Sequence, residues 1–162
     1  NREFGINFCK DEKYEFLIFG DSDDYFSDNR IELSLKHLQN FDIVVNDLNL
    51  FNESGIYEEK YISNRVENNS IVNYSFIKDK NIFGMTNTAI NLNILDRVEF
   101  DDSLVAVDWF MFKDLLKLAH KAIFTNEIIS YYRQYFDNTI GLREMEGRHL
   151  LWWEKKSGYG IN

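Results

Sequence analysis

Tyr14-Glu15-Phe16-Leu17-Ile18-Phe19-Gly20-Asp21-Ser22-Asp23-Asp24 is the stretch on which the fold turns. Its first six residues are aromatic and almost wholly apolar and stop at Gly20, which predicts a strand buried on both faces of a sheet. The strand ends in acid. Ser27 or Asp28 can cap a following helix in which Ile31, Leu35 and Leu38 recur at i, i+4 and i+7, laying one apolar stripe against the sheet. Asp42-Ile43-Val44-Val45-Asn46-Asp47-Leu48 then predicts a second strand. The order strand, helix, strand favours a parallel pairing and an α/β fold.

Working outward, Asn1 to Lys10 has the character of the end of a helix that leads into the first strand. Roughly Asn52 to Lys80 is polar and aromatic without a clean period, and predicts an excursion of short strands and then a short helix around Ile71 to Ile77. Thr86 to Leu92 predicts a strand. A well-buried helix is expected from Val107 to about Lys117, with Val107, Met111, Leu115 and Leu118 on one stripe and Phe110 beside it. Ala122 to Phe124 and Ile128 to Tyr132 predict two further short strands, and Met145, His149, Trp152 and Trp153 fall at the spacing of a closing helix. With no repeat, low-complexity tract or Gly/Ser linker, residues 1–162 are expected to form a single domain.

Composition narrows the classes of function. With 44% hydrophobic residues and 16% aromatics the chain can build a real core, so disorder is not expected. Asp and Glu number 27 against 18 Lys and Arg, for a formal charge of -9, and such a chain repels polyanions; no nucleic-acid partner is expected. One cysteine, Cys9, excludes an internal disulfide framework. No apolar run approaches the ~20 residues of a membrane span, and the first residues lack a signal peptide's apolar stretch. A cytoplasmic protein, at most peripheral to the inner face of the membrane, is the expectation. The absence of proline and the abundance of Asn, Ile, Lys and Phe fit an AT-rich bacterial coding bias.

Chemistry concentrates at Asp21-Ser22-Asp23-Asp24, because ligand sites in open α/β sheets lie beyond the carboxyl ends of strands. In extended chain Asp21 and Asp23 point to one side, so one metal or ligand can engage both. Mg²⁺ or Mn²⁺ prefers hard oxygens, one or two carboxylates completed by water and phosphate, which makes a diphosphate the natural third party. Acids after strands also serve as turn formers and caps. A calcium loop is a competing reading, since Asp21, Asp23 and Glu32 occupy its positions 1, 3 and 12, but Tyr25 and Phe26 stand at its fifth and sixth positions, where the template wants a ligand and a glycine. His37, His120 and His149 share no metal-ligand spacing, and no glycine-rich phosphate loop is present. Trp152 and Trp153, followed by Lys155 and Lys156, suit either core packing of a terminal helix or docking on a membrane surface or partner.

Phe19-Gly20-Asp21-Ser22-Asp23-Asp24-Tyr25-Phe26, the helix with Arg30, and Phe41-Asp42-Ile43-Val44 together resemble family-2-like glycosyltransferases of the GT-A fold. The resemblance continues at Gly84-Met85-Thr86-Asn87-Thr88-Ala89, similar to an acceptor-side strand, and at Phe100-Asp101-Asp102-Ser103-Leu104 leading into Val107-Asp108-Trp109. It closes at Tyr132-Arg133-Gln134 with Asn138-Thr139. The resemblance implies a GT-A-type mixed sheet flanked by helices and a metal-assisted transferase, expected to invert. Such an enzyme moves a sugar from a UDP- or GDP-type nucleotide-sugar donor to a carbohydrate or lipid-linked acceptor, typically in bacterial polysaccharide biosynthesis.

Residue by residue, the resemblance implies Asp23 as a direct ligand of Mg²⁺ or Mn²⁺, and Asp21 as a contact to the donor's ribose or to metal-bound water. Asp24 matches an extra acid. Asp108 matches the general base that takes the acceptor hydroxyl's proton; alone, it is an ordinary first-turn acid favoured by the helix dipole. Arg133 has two readings, a contact to donor phosphate or a surface arginine at a strand end. Asn87 and Trp109 are the implied acceptor contacts. Such transferases begin with strands that hold the nucleotide base well ahead of the Asp-x-Asp, whereas twenty residues precede Asp21. The chain is therefore expected to be a carboxyl-side portion lacking those donor-base strands. A noncatalytic interaction domain that kept part of the fold, and the calcium-binding module, are the alternatives.

Overall fold

A computed structural model of the chain describes residues 2–78, 80–101 and 107–135. In chain order the elements are α1 (Arg2–Asp11), β1 (Phe16–Ile18), β2 (Tyr25–Phe26), α2 (Arg30–Leu38), β3 (Ile43–Asn52), β4 (Gly55–Glu58), β5 (Ile71–Val72), α3 (Tyr74–Ile77), β6 (Thr88–Asn91), α4 (Val107–Lys117) and β7 (Ala122–Arg133). Single 3₁₀ turns at Met85–Asn87 and Leu92–Ile94 bracket β6. The residues Ser103, Leu104, Asn138, Thr139, Met145, His149, Trp152, Trp153, Lys155 and Lys156, and with them the closing helix, lie outside the described residues.

The result is a mixed α/β architecture around one curled sheet of order β1-β6-β3-β7-β2, with β4 on β3 and β5 on β7. The first helix–strand–helix–strand run forms as the sequence predicts, but β1 and β3 do not pair with each other. Both pair antiparallel with β6, which lies between them, while among the described strands a parallel ladder joins β3 to β7. Nor is β1 buried on both faces. It is an edge strand, half-buried along its length, with Leu17 touching one core and Phe16 and Ile18 the other.

The two cores follow from side-chain alternation on the sheet. Ile43 and Val45 enter the larger core with Ile6 of α1, Ile77 of α3 and Phe112 of α4. Val44 enters the smaller one with Leu38 of α2, Ala89 and Ile123. Helices thus cover both faces. Two helical stripes are rotated from the expected ones. In α2 the buried positions are Arg30, Ser34 and Leu38, and Ile31 is 65% exposed, because the Arg30 guanidinium turns inward to donate to the Phe19 carbonyl and stack on the Phe26 ring. In α4 the buried positions are Phe112, Leu115 and Leu116, and Leu118 is 71% exposed. Phe112 decides that rotation by stacking on Phe83 at 5.2 Å and meeting Phe19 edge-on at 6.2 Å.

Ala122 to Phe124 and Ile128 to Tyr132 belong to one strand and not to two. Thr125 is opposite Asn46 and Ile129 opposite Asp47, so residues 126–128 loop out of the ladder. Across the same point β3 changes phase: its residues in the larger core are odd-numbered before it, Ile43 and Val45, and even-numbered after it, Leu48 and Leu50. Asp47, with 0% of its surface exposed, occupies the slip. Its Oδ1 accepts from the backbone N–H of Leu48 (2.9 Å), Ile62 (2.8 Å) and Ser63 (3.3 Å), and its Oδ2 accepts from the Ser63 hydroxyl. The unperiodic segment after β4 is thereby tied to the central strand. Replacing Asp47 by Ala leaves buried donors unpaired and is expected to cost about 3 kcal/mol in urea unfolding. Asp47→Asn keeps one acceptor oxygen and is expected to cost less than half as much; equal losses for the two variants would contradict this account of the tether.

Candidate functional site

β1 delivers the acid-rich loop to the rim of a cleft. Gly20 keeps the strand end compact there: a Cβ on it would lie 2.9 Å from Phe26 Cζ, so a side chain would displace the Phe26 ring on which Arg30 stacks. Beyond it, Asp21 opens onto a cleft of about 170 Å³ whose lining includes Arg2, Asn87, Asp108, Tyr61, Arg65 and Tyr132. Asp21 and Asp108, far apart in sequence, therefore face one cavity. α1 adds Arg2, whose guanidinium donates to Asp21 Oδ1 at 2.9 Å. That pair is half-exposed and contributes less than about 1 kcal/mol.

The remaining expected residues are distributed around this cleft. Asp23 is exposed and is not part of its lining; its backbone carbonyl accepts from Arg133 Nε at 3.1 Å. Arg133 also donates its backbone N–H to Asp24 Oδ1 at 2.8 Å and lays its guanidinium 4.4 Å from the Phe51 ring centre, so it braces the acid loop from the strand side. Asn87 borders the cleft but is fully buried, and its amide is committed to the fold: Nδ2 donates to the carbonyls of Asn46 and Ile82, and Oδ1 accepts from Gly84 N–H. The amide that the resemblance offers to a sugar instead shapes the wall. Trp109 follows Asp108 into α4 and donates its indole N–H to the Ile77 carbonyl at 3.1 Å, anchoring the helix start to α3.

Electrostatically the acids form one system. Burial pushes the Asp108 carboxyl above its usual range, opposed by the Trp109 N–H and by Arg2, and reinforced by Asp21. Asp24 is raised, first by its burial and further by Asp23 and Asp21, against the pull of the Arg133 N–H and the Thr86 hydroxyl. The half-buried Tyr132 phenol is pushed up, first by desolvation and then by the charges of Asp24, Asp21 and Asp108, and stays a proton donor at neutral pH. Arg30, buried beside Asp24, is lowered to about 10 and keeps its charge at neutral pH.

A divalent cation fits this donor set in chemistry. Among the described residues no three His, Cys, Asp or Glu side chains converge to hold a metal. Mg²⁺ and Mn²⁺, however, need only one or two carboxylates when water and phosphate supply the rest. Asp21 offers such an oxygen to the cleft, and Asp24, facing the Thr86 hydroxyl, lies in the same acidic loop.

Arg2, Tyr61, Arg65 and Tyr132 were not singled out by sequence. Tyr132 stood within a recognised segment without a role, and Tyr61 and Arg65 lie where no period exists to place them. The chain matches no protein-family model and no curated protein. Among the described residues no helix is long and apolar enough to cross a membrane.

The raised acids set a pH dependence. A carboxyl whose pKa is higher folded than unfolded binds its proton more tightly in the folded state, so its stabilising effect is complete below the unfolded value of about 4 and is lost as pH rises through the folded value. Asp108→Asn removes one such group while retaining an oxygen for the Trp109 N–H. The variant is expected to melt above the wild type at pH 7 and to converge on it near pH 4; a gain that is constant across that range would refute the assignment.

Proposed function

We propose that this chain belongs to the catalytic part of a GT-A-type glycosyltransferase, transferring a sugar from a nucleoside-diphosphate donor to a carbohydrate or lipid-linked acceptor with inversion. One observation carries the reading: Asp21, from the acid loop, and Asp108, from the start of α4, line the same cleft. Had they faced opposite sides of the sheet, no donor phosphate and acceptor hydroxyl could meet between them.

In this reading Asp21, the loop acid that lines the cleft, would hold Mg²⁺ or Mn²⁺ with water and phosphate completing the shell, and Asp23 would have to join it from the exposed side of the loop; the metal when bound supplies positive charge to the leaving diphosphate. Asp108 takes the proton of the acceptor hydroxyl. A general base works best with a pKa lifted toward the working pH, and burial moves Asp108 in that direction. Arg2 opposes the upward shift of Asp108 and holds Asp21 by an ion pair. Tyr132, held neutral, lines the cleft with a phenol able to donate, and Arg133 steadies the loop that bears the acids.

Calorimetric titration with UDP and GDP, with and without Mn²⁺, tests the proposal. Nucleotide binding is expected to need Mn²⁺ and to weaken at least about tenfold in Asp21→Ala, as expected on losing a charge-assisted contact. Asp108→Asn is expected to bind nucleotide normally and to lose on the order of 10² to 10⁴ in transfer rate. Nucleotide binding indifferent to both Mn²⁺ and Asp21 would end the transferase reading in favour of an interaction domain, and Ca²⁺ binding without nucleotide would favour the calcium module.

A further inference from the structure

The cleft contains a cation that the acid system does not use. Arg65 lies in its lining, exposed, with its guanidinium 4.6 Å from the Tyr61 ring centre. Unlike Arg2, which is neutralised by Asp21, Arg65 has no carboxylate within ion-pair distance among the described residues. The charges that act most strongly on Asp108 include those of Arg2 and Asp21 and not that of Arg65, which therefore stands apart from the acids.

The segment presenting Arg65 is built to hold it still. The Arg65 N–H donates to the Ile62 carbonyl at 2.9 Å, and Ile62 N–H is itself fixed at 2.8 Å by the buried Asp47 carboxylate. Tyr61 N–H donates to the Leu48 carbonyl at 2.8 Å, and Lys60 N–H to Asn49 Oδ1 at 2.8 Å. Stacking on Tyr61 covers one face of the guanidinium and leaves its in-plane N–H groups to meet a planar anion. In a chain with a formal charge of -9, anions are repelled in general, so an unneutralised arginine on a tethered loop inside a cleft creates a local exception.

We propose that Arg65, braced by Tyr61, is an anion subsite that receives the carboxylate or phosphate of an acidic sugar acceptor. The assignment to an acceptor rests on the sugar-transfer reading above; the preference for an anion does not. Tyr132 and Asp108 face the same cavity, so a sugar whose acidic group is held by Arg65 places its hydroxyls among groups able to donate to them or to take their protons.

Titrations of the wild type, Arg65→Gln and Arg65→Lys with glucuronate, glucose 1-phosphate and glucose, followed by NMR shifts of cleft residues, test the proposal. At least one acidic sugar is expected to bind the wild type about tenfold tighter than glucose, the value of one charge-assisted hydrogen bond. Arg65→Gln is expected to erase that preference and Arg65→Lys to keep part of it; which sugar responds identifies carboxylate or phosphate as the anion. Acidic sugars binding no tighter than glucose, or a preference that survives Arg65→Gln, would overturn it. A parallel titration with UDP and Mn²⁺ separates the premises. UDP binding lost in Asp21→Ala and kept in Arg65→Gln is expected. UDP binding lost in Arg65→Gln would reassign the arginine to the donor and overturn the acceptor subsite. An Arg65-dependent preference for acidic sugars without any UDP binding would uphold the anion subsite while removing the transfer reading.

Discussion

Where β3 leaves its first set of partners, the buried Asp47 carboxylate accepts hydrogen bonds from Leu48, Ile62 and both the backbone and hydroxyl of Ser63, and the geometry of the cleft depends on that junction. A sheet strand has no spare donors or acceptors for a crossing loop, because its backbone groups are consumed by its neighbours. The slip opposite residues 126–128 frees β3 locally, and Asp47 uses the opening to capture the turn that bears Tyr61 and Arg65. Beyond the slip the ladder resumes with Asp47 opposite Ile129 and reaches Leu50 opposite Tyr132, so the same irregularity aims Tyr132 at the cavity. One wall of the cleft is therefore a consequence of a register shift, held by the Asp47 carboxylate together with the Leu48 carbonyl and the Asn49 amide.

The acid side of the cleft is governed by charge. Asp24 and Asp108 both lie in the field of Asp21, and burial raises the proton affinity of these two carboxyls through desolvation before repulsion is counted. Arg2 and Arg30 offset this from two sides. Arg30 does so from within, where its guanidinium also holds the carbonyl end of β1, which explains why α2 turns an arginine and not Ile31 toward the sheet. Carboxyls raised above their usual range suit proton transfer, and perturbed acids are a recognised feature of functional sites in general. The proposed transferase chemistry draws on this property of the cleft and not on any one motif.

Much of the fold was legible in local pattern. The apolar run ending at Gly20, the helix after it and the strand at Ile43 are where hydrophobic periodicity places them, and the bounds of α4 agree with the expected Val107 to Lys117. Partnering was not legible. Inserting β6 between β1 and β3 depends on a chain segment more than forty residues further on, and nothing within Phe16–Ile18 or Ile43–Asn52 encodes which strand will compete for their edges. Helix faces were misjudged for a related reason. Periodicity in α2 and α4 counts apolar residues, whereas Arg30 and Phe112 are drawn inward by particular partners, the Phe19 carbonyl and the Phe83 ring.

The sequence by itself determined the α/β class, the acidic loop at a strand end and the presence of an acid, Asp108, at the head of a helix, because each is written in the order and spacing of neighbouring residues. Only the tertiary structure decided that Asp21 and Asp108 share a cavity, that the Asn87 amide is spent on backbone groups, and that Arg2, Arg65 and Tyr132 complete the lining. Those outcomes depend on how strands far apart in the chain pair and on how one buried carboxylate ties an unpatterned loop to them, and local composition carries no record of either.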